Sequence, residues 1–413
     1  MSASDFIPPK TNPVVLALVK ALLPITLKAE KLEVRPSENC IQTIKSMRDR
    51  PAILAVNHID RCDPSVVASL SLKCQEDFLY LAARELFDEN LGMRGWLMQH
   101  SGVYSVIRGT PEDQQSRAKT ISIIAQGKQK LVMFPEGDVT GRDDKVLPLK
   151  LDGISNLLDA QKLCLESEFK RAVQVIPLAI YYEVTDNAVQ PLRDCLSRQE
   201  AFLGLSTWSG PIEARVQRIL HSMLKHLEYH YGKPSHSSST DERISELSQF
   251  ITAMCAAVTG DNKYDQSTIN VFLYSVRGHV QRLIDDHQAR KAGFEYGLHK
   301  ENLKRFESAI IDLERVQNLL ILLSTLQQIP TSIDVLWRII DRMEQLILGK
   351  PTAKGNRIAW IEAGQPISLA ASMADYYQAP NWVIGQTEEQ LRDSMTTVLK
   401  SIKKRSVPVQ INA

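Results

Sequence analysis

The chain has little cysteine and no local way to pair it. Cys40, Cys62, Cys74, Cys164, Cys195 and Cys255 are scattered over 413 positions without a Cys-x-x-Cys. That scatter argues against a zinc site or a disulfide framework and suits a reducing compartment. An excess of one charge is also missing: 49 Lys and Arg meet 48 Asp and Glu, for a balance of +1. No global field draws such a chain to nucleic acid, so any anion binding has to be local. Met1–Lys10 lacks a basic start followed by an apolar run and a cleavage site, so no signal peptide is expected. The longest apolar run, Val14–Leu27, is interrupted by Lys20 and Pro24. It falls short of the about 20 apolar residues that a bilayer span takes. Asn12-Pro13 opens it as a cap and first turn. Two readings of this segment stand side by side, a helix packed on the domain and an interfacial helix lying in a membrane surface.

What is present is enough apolar residue, 44%, for a substantial core, in a length that allows one large domain or two ordinary ones. Up to about Glu183, strand-like runs (Ala52–Asn57, Phe78–Ala82, Gly102–Ile107, Lys130–Phe134, Val173–Tyr182) alternate with helical stretches (Pro64–Leu72, Pro111–Gln126, Ile154–Glu166). Such alternation predicts an α/β fold, a mixed sheet flanked by helices. From about Pro211 the texture becomes helical, over Glu213–Tyr229, Asp241–Val258, Thr268–Ala289, Leu303–Leu326 and Ser332–Leu348, with the Ser-rich Pro234–Thr240 as a loop. It then changes back: Arg357–Ala363 reads as a strand, and a last helix is expected near Thr387–Lys403. A strand after a long helical block makes sense if the block is an insertion and the strand rejoins the first sheet. The expected organisation is an N-terminal apolar segment over 1–33, a first domain part over 34–184, a helical insertion over 185–355, and a final strand and helix over 356–413.

Four short blocks carry the chemistry. The first, Asn57-His58-Ile59-Asp60-Arg61-Cys62-Asp63, pairs a histidine with a carboxylate five residues on. His58 follows a strand, and Asp63-Pro64 reads as a helix start with aspartate as N-cap and proline at N1. A chain folding back across that turn can bring the Asp63 carboxylate to one ring nitrogen and leave the other for a substrate. The carboxylate then fixes the tautomer and stabilises the imidazolium. A substrate with its own hydroxyl needs no nucleophile from the protein. Spacing alone carries little weight, because nine histidines give about half a chance His-x4-Asp match per chain of this composition. A second match, His236 to Asp241, lies in the Ser-rich loop with no strand before it and reads as coincidence, Asp241 serving as a helix cap.

The second block, Gly102–Arg108, ends in an arginine, the side chain suited to gripping a phosphate by two parallel hydrogen bonds. The third, Phe134-Pro135-Glu136-Gly137, offers a carboxylate for substrate hydroxyls and a glycine that lets backbone approach a ligand. Taken alone, Arg108 and Glu136 read as well as solvated loop charges. The fourth, Val175-Ile176-Pro177-Leu178, puts proline inside an apolar strand, where shaping the strand is its plainer role. Arg61, Arg84, Arg142 and Lys150 lie near the blocks and read as surface charges that could add positive potential.

In this order and at these separations, the four blocks resemble the glycerolipid acyltransferase family, in particular the PlsC-type 1-acyl-glycerol-3-phosphate acyltransferases. Ile358–Ala363 with Gly364-Gln365-Pro366-Ile367 resembles the strand and turn that end such domains, and the helical insertion resembles the cyanobacterial form. The resemblance covers roughly Val34–Glu183 and Asn356–Lys403. It implies His58 as general base and Asp63 as its orienting partner. It implies Arg108 with Glu136 and Gly137 as the grip on acceptor phosphate and glycerol, and Pro177 as part of the cleft. The implied reaction moves a fatty acyl group from an acyl carrier protein or CoA thioester to lysophosphatidic acid, without a metal or other cofactor. The implied setting is cytoplasmic, peripheral to a membrane. Departures are Asp60 where many members carry serine, and Asp138-Val139-Thr140 where many carry Thr-Arg-Ser; they bear on which acceptor is used. Glycerol 3-phosphate, another lysophospholipid, and a non-catalytic lipid-binding scaffold remain as alternatives. Basic residues of the helical block (Arg277, Arg282, Arg290, Lys291) would suit an acidic carrier protein, although Asp285 and Asp286 interrupt the run.

Overall fold

A computed structural model gives the fold; it describes residues 6–87, 92–106, 113–167, 170–185, 188–260, 269, 272–273, 275–280, 294–328 and 332–404. The strands are β1 (Leu32–Pro36), β2 (Ala52–Val56), β3 (Phe78–Ala83), β4 (Val103–Val106), β5 (Lys130–Met133), β6 (Gln174–Val184), β7 (Arg357–Ala363) and β8 (Ile367–Ser368). They form one eight-stranded sheet in the order β1-β7-β6-β2-β5-β3-β4, with β8 also on β6. Pairing is parallel from β6 through β4 and between β1 and β7. It is antiparallel where β6 meets β7 and β8.

The composition of β2 explains its place. Ala-Ile-Leu-Ala-Val is apolar at every position and buried at every position, as a parallel strand covered on both faces must be. Register then sets the site. Ala55 lies opposite Met133 on β5 and opposite Pro177 on β6. The chain leaving β2 at Asn57-His58 therefore emerges beside the chain leaving β5 at Phe134-Pro135, at the carboxyl edge where α/β sheets place ligands. Asn57 secures its own exit: its Oδ1 accepts from the Ile180 N–H (2.7 Å) and its Nδ2 donates to the Ile180 carbonyl (3.1 Å).

The final strand rejoins the sheet, with β7 inserted between β1 and β6. Pro177 sits in β6 at the gap between its β7 and β8 partners. There its carbonyl accepts from Gly364 N–H (2.8 Å) and no ladder donor is needed from its nitrogen. One apolar core packs around the sheet beneath helices such as Asp63–Cys74, Leu151–Glu166 and Pro380–Lys403. A second core lies among Val189–Phe202, Ile212–His230, Thr240–Thr259, Phe294–Leu326 and Ile333–Leu348. The helix Val189–Phe202 is not among those expected from the sequence, and the last helix starts at Pro380, about two turns before the expected Thr387. Of the helix expected over Thr268–Ala289, residues 268, 270, 271, 274 and 281–289 lie outside the described residues.

Polar contacts join the two cores. Asp334, on the helix Ile333–Leu348, accepts from the Tyr181 hydroxyl (2.9 Å) and from the Val184 N–H (2.6 Å) at the end of β6. Arg338 of the same helix pairs with Asp143 (2.9 Å). The helical segment is thereby held against the loop that follows β5.

At the other end, Asn12 caps the helix Pro13–Ala29, its Oδ1 accepting from Val14 and Val15 N–H. This helix buries Leu23 and Leu27 and exposes Val14, Leu18, Leu22 and Ile25 on its outer face. Near it the helix Met93–His100 exposes Met93, Trp96 and Leu97. Among the described residues no helix is long and apolar enough to cross a membrane.

Candidate active site

His58 stands just past the end of β2, and its Nδ1 lies 2.8 Å from Asp63 Oδ2. Asp63 is fully buried and begins the helix Asp63–Cys74. The N-cap is Cys62, not Asp63 as its residue type had suggested. The Asp63 carboxylate is otherwise employed: besides His58 it accepts from Asp60 N–H (2.9 Å) and from the Tyr182 hydroxyl (2.6 Å). Burial pushes the Asp63 carboxyl up, while the bonds from His58 and Tyr182 pull the other way. The ring of His58 stacks on Phe134 at 4.4 Å, and its other nitrogen has no hydrogen-bond partner among the described residues. Held on one side by a carboxylate and on its face by an aromatic ring, the imidazole is oriented as a general base requires.

The backbone of His58 is clamped by the loop after β5. Glu136 Oε2 accepts from His58 N–H (2.7 Å), and Thr140 donates to the His58 carbonyl from both its N–H (2.7 Å) and its hydroxyl (3.0 Å). The second oxygen of Glu136 accepts from Leu147 N–H (2.8 Å). Glu136 is buried, so the reading that it takes substrate hydroxyls is corrected: both oxygens serve backbone donors. Burial outweighs those bonds and pushes its carboxyl up to about 7. Gly137, next along, is at φ +88°, and a side chain there would run into Lys150.

Asp60 is tied into the protein rather than offered to a substrate. Its Oδ1 accepts from Cys62 N–H (2.8 Å) and its Oδ2 from Arg357, the first residue of β7, at 2.7 Å. Burial would raise the Asp60 carboxyl, but Arg357 and Arg61 outweigh it and hold it well below the usual range. The Arg357 guanidinium lies 3.8 Å from the centre of the Trp337 ring, under the helix Ile333–Leu348. The departure from serine at position 60 thus has a partner nearly 300 residues away.

A cavity of about 1130 Å³ opens on His58. Asp60, Arg61, Phe134, Gly137 and Lys150 border it, and Leu16, Val19 and Leu23 of the first helix give it an apolar side. Pro177 is not on its walls; buried in the sheet, it shapes β6 and the Gly364 turn. Arg108 lies outside the described residues. Arg61 is exposed, as expected of a surface charge, but bridges Glu30 (2.9 Å) and Asp341 (3.2 Å), whereas Arg142 is buried and pairs with Asp144 (2.7 Å). Arg84 is buried. Among the described residues no group of three or more His, Cys, Asp or Glu could hold a metal ion.

Residues 31–181 match the family model Acyltransferase. Over that stretch the chain is similar to an acyltransferase domain. Its match begins just before β1 and ends within β6, so it takes in the His58–Asp63 pair and the clamping loop, and stops before the helical segment and β7. The domain supports O-acyl transfer to a lipid acceptor as the general chemistry. No curated protein matches the chain. Sequence reasoning missed Tyr182 and Arg357 as parts of this site, and met Thr140 only as a departure from the family's pattern. Each acts through a contact between distant segments, and Tyr182 and Arg357 belong to no motif.

Proposed function

We propose that the protein transfers a fatty acyl group from an acyl carrier protein or CoA thioester to the free hydroxyl of 1-acyl-glycerol 3-phosphate, giving phosphatidic acid. The observation that carries this reading is the His58–Asp63 pair, 2.8 Å apart, at a cavity with both an apolar side and cationic borders. An acyl chain needs the first and a phosphorylated glycerol the second. His58 takes the proton of the acceptor hydroxyl as its oxygen attacks the thioester carbonyl. The tetrahedral adduct collapses, the C–S bond breaks, and the leaving thiolate receives the proton from His58. Base catalysis of this kind contributes about 10²–10⁴-fold. Asp63 holds the tautomer, and Tyr182 holds Asp63. Arg108 and Gly137 are proposed to contact the acceptor, with Lys150 beside Gly137 adding charge.

The exposed apolar residues of the helices Pro13–Ala29 and Met93–His100 support seating on a membrane surface, from the cytoplasmic side. The inner face of the first helix borders the cavity, so a lipid acceptor would pass from bilayer to site along it. The test is turnover of lysophosphatidic acid with acyl-CoA and with acyl carrier protein thioester, in the presence of anionic vesicles. Product that vanishes in His58→Ala supports the reading. Turnover unchanged in His58→Ala removes His58 as the base, and no product from any pair with the folded protein removes the acceptor assignment.

A further inference from the structure

The wall of the cavity is not made by the acyltransferase domain alone. Arg338, Asp341, Arg342 and Gln345 of the helix Ile333–Leu348 all border it, spaced i, i+3, i+4 and i+7, which puts them on one helical face. Much of the rest of that helix is buried. A polar stripe facing a cavity costs desolvation unless something polar meets it there. The charges in the stripe are unequally served. Arg338 pairs with Asp143, and Asp341 with both Lys354 and Arg61. Arg342 donates to Asn318 Oδ1 (2.6 Å), a neutral acceptor, and meets no carboxylate in ion-pair distance among the described residues. The carboxylates that lie electrostatically near it, Asp341 and Asp60, are already taken by Lys354, Arg61 and Arg357.

We propose that Arg342, aimed by Asn318, is an anion subsite that the helical segment adds to this active site, and that it grips the phosphate ester of a substrate. A guanidinium presents a planar fork of donors matched to phosphate oxygens, and one arm used on Asn318 leaves the others to point into the cavity. Burial pulls the Arg342 guanidinium below its ordinary range, a cost that a bound dianion would offset. The phosphate has two possible sources, the acceptor's own headgroup or the phosphate of the donor's pantetheine arm. The proposal rests on the acyl-transfer reading for its substrates, though not for its chemistry.

The variants are Arg342→Gln and Arg342→Lys, each checked for unchanged thermal unfolding. Steady-state kinetics use 1-acyl-glycerol 3-phosphate or uncharged 1-acylglycerol as acceptor, and acyl-CoA or the phosphate-free acyl thioester of N-acetylcysteamine as donor. In Arg342→Gln the KM of the phosphate-bearing substrate rises about ten- to hundredfold with kcat within about threefold, and KM for its phosphate-free counterpart does not move. Arg342→Lys, which keeps charge and loses the fork, falls between. A shift confined to the acceptor assigns the subsite to the headgroup, and one confined to the donor assigns it to the pantetheine phosphate. No KM change in either arm overturns the proposal. If the wild type turns over none of these pairs, the acyl-transfer reading fails separately. Calorimetric binding of glycerol 3-phosphate and of CoA then decides: loss in Arg342→Gln upholds the subsite, and equal binding or no binding in both proteins overturns it.

Discussion

Glu136→Gln is the sharpest test of how the site is held together. The wild-type carboxylate faces two backbone donors, His58 N–H at 2.7 Å and Leu147 N–H at 2.8 Å, in a buried position. Burial raises its carboxyl from 4.5 to about 7. The folded protein therefore holds this proton more tightly than the unfolded chain does. The associated stability is fully present below about pH 4.5 and is lost as pH rises through 7. The interval corresponds to about 3 kcal/mol. Glutamine carries no titrating proton, so it abolishes that dependence. It also turns an NH2 toward one of the two donors, leaving it unsatisfied at a cost of about 1–3 kcal/mol. Urea unfolding at pH 5 and pH 8 reads both effects. Wild type should lose up to about 3 kcal/mol more than Glu136→Gln between the two pH values. Turnover of the variant should fall about tenfold or more, because a displaced His58 backbone misplaces the proposed base. Parallel stability–pH curves for the two proteins would refute the assignment of a buried, backbone-bound Glu136.

Other outcomes follow from the same contacts. Asp63→Asn keeps the shape but loses the acceptor for the His58 proton, and kcat should fall about 10³–10⁴-fold with the fold intact by circular dichroism. Tyr182→Phe removes the 2.6 Å bond to Asp63 and should lower kcat about three- to tenfold with little change in KM, measured by steady-state kinetics. Gly137→Ala imposes a side chain at φ +88° against a flexible lysine, so a loss of about 1–3 kcal/mol in thermal or urea unfolding is expected. Arg357→Met strands Asp60 as an unpaired buried carboxylate and should cost about 3–5 kcal/mol. Adding Asp60→Ser should restore most of that; a double variant no more stable than Arg357→Met would show that the pair does not hold the turn.

The sequence by itself determined the α/β class, the exits of β2 and β5 as places for chemistry, and His58 with Asp63 as the pair to examine. Those readings rest on local signals, an apolar run ending at a polar turn, which survive without knowledge of the rest of the chain. The return of β7 to the sheet was also legible, because a lone strand after a helical block has nowhere else to pair. Tertiary structure decided what the individual polar groups do. Glu136 and Asp63 carry the same functional group, yet one clamps backbone and the other orients an imidazole. The difference lies in which donors the fold brings within 3 Å. Asp60 looked like a departure until Arg357 arrived beside it from the far end of the chain. Pro177, which the resemblance put in the cleft, has instead the strand-shaping role that its place in an apolar run suggested, at the break between β7 and β8. Arg342 carries no motif at all, and its interest lies in the neighbours that the packing of two helices denies it. Hydrogen bonds and ion pairs depend on separations set to within a fraction of an ångström between segments up to hundreds of residues apart, and no local pattern encodes those separations.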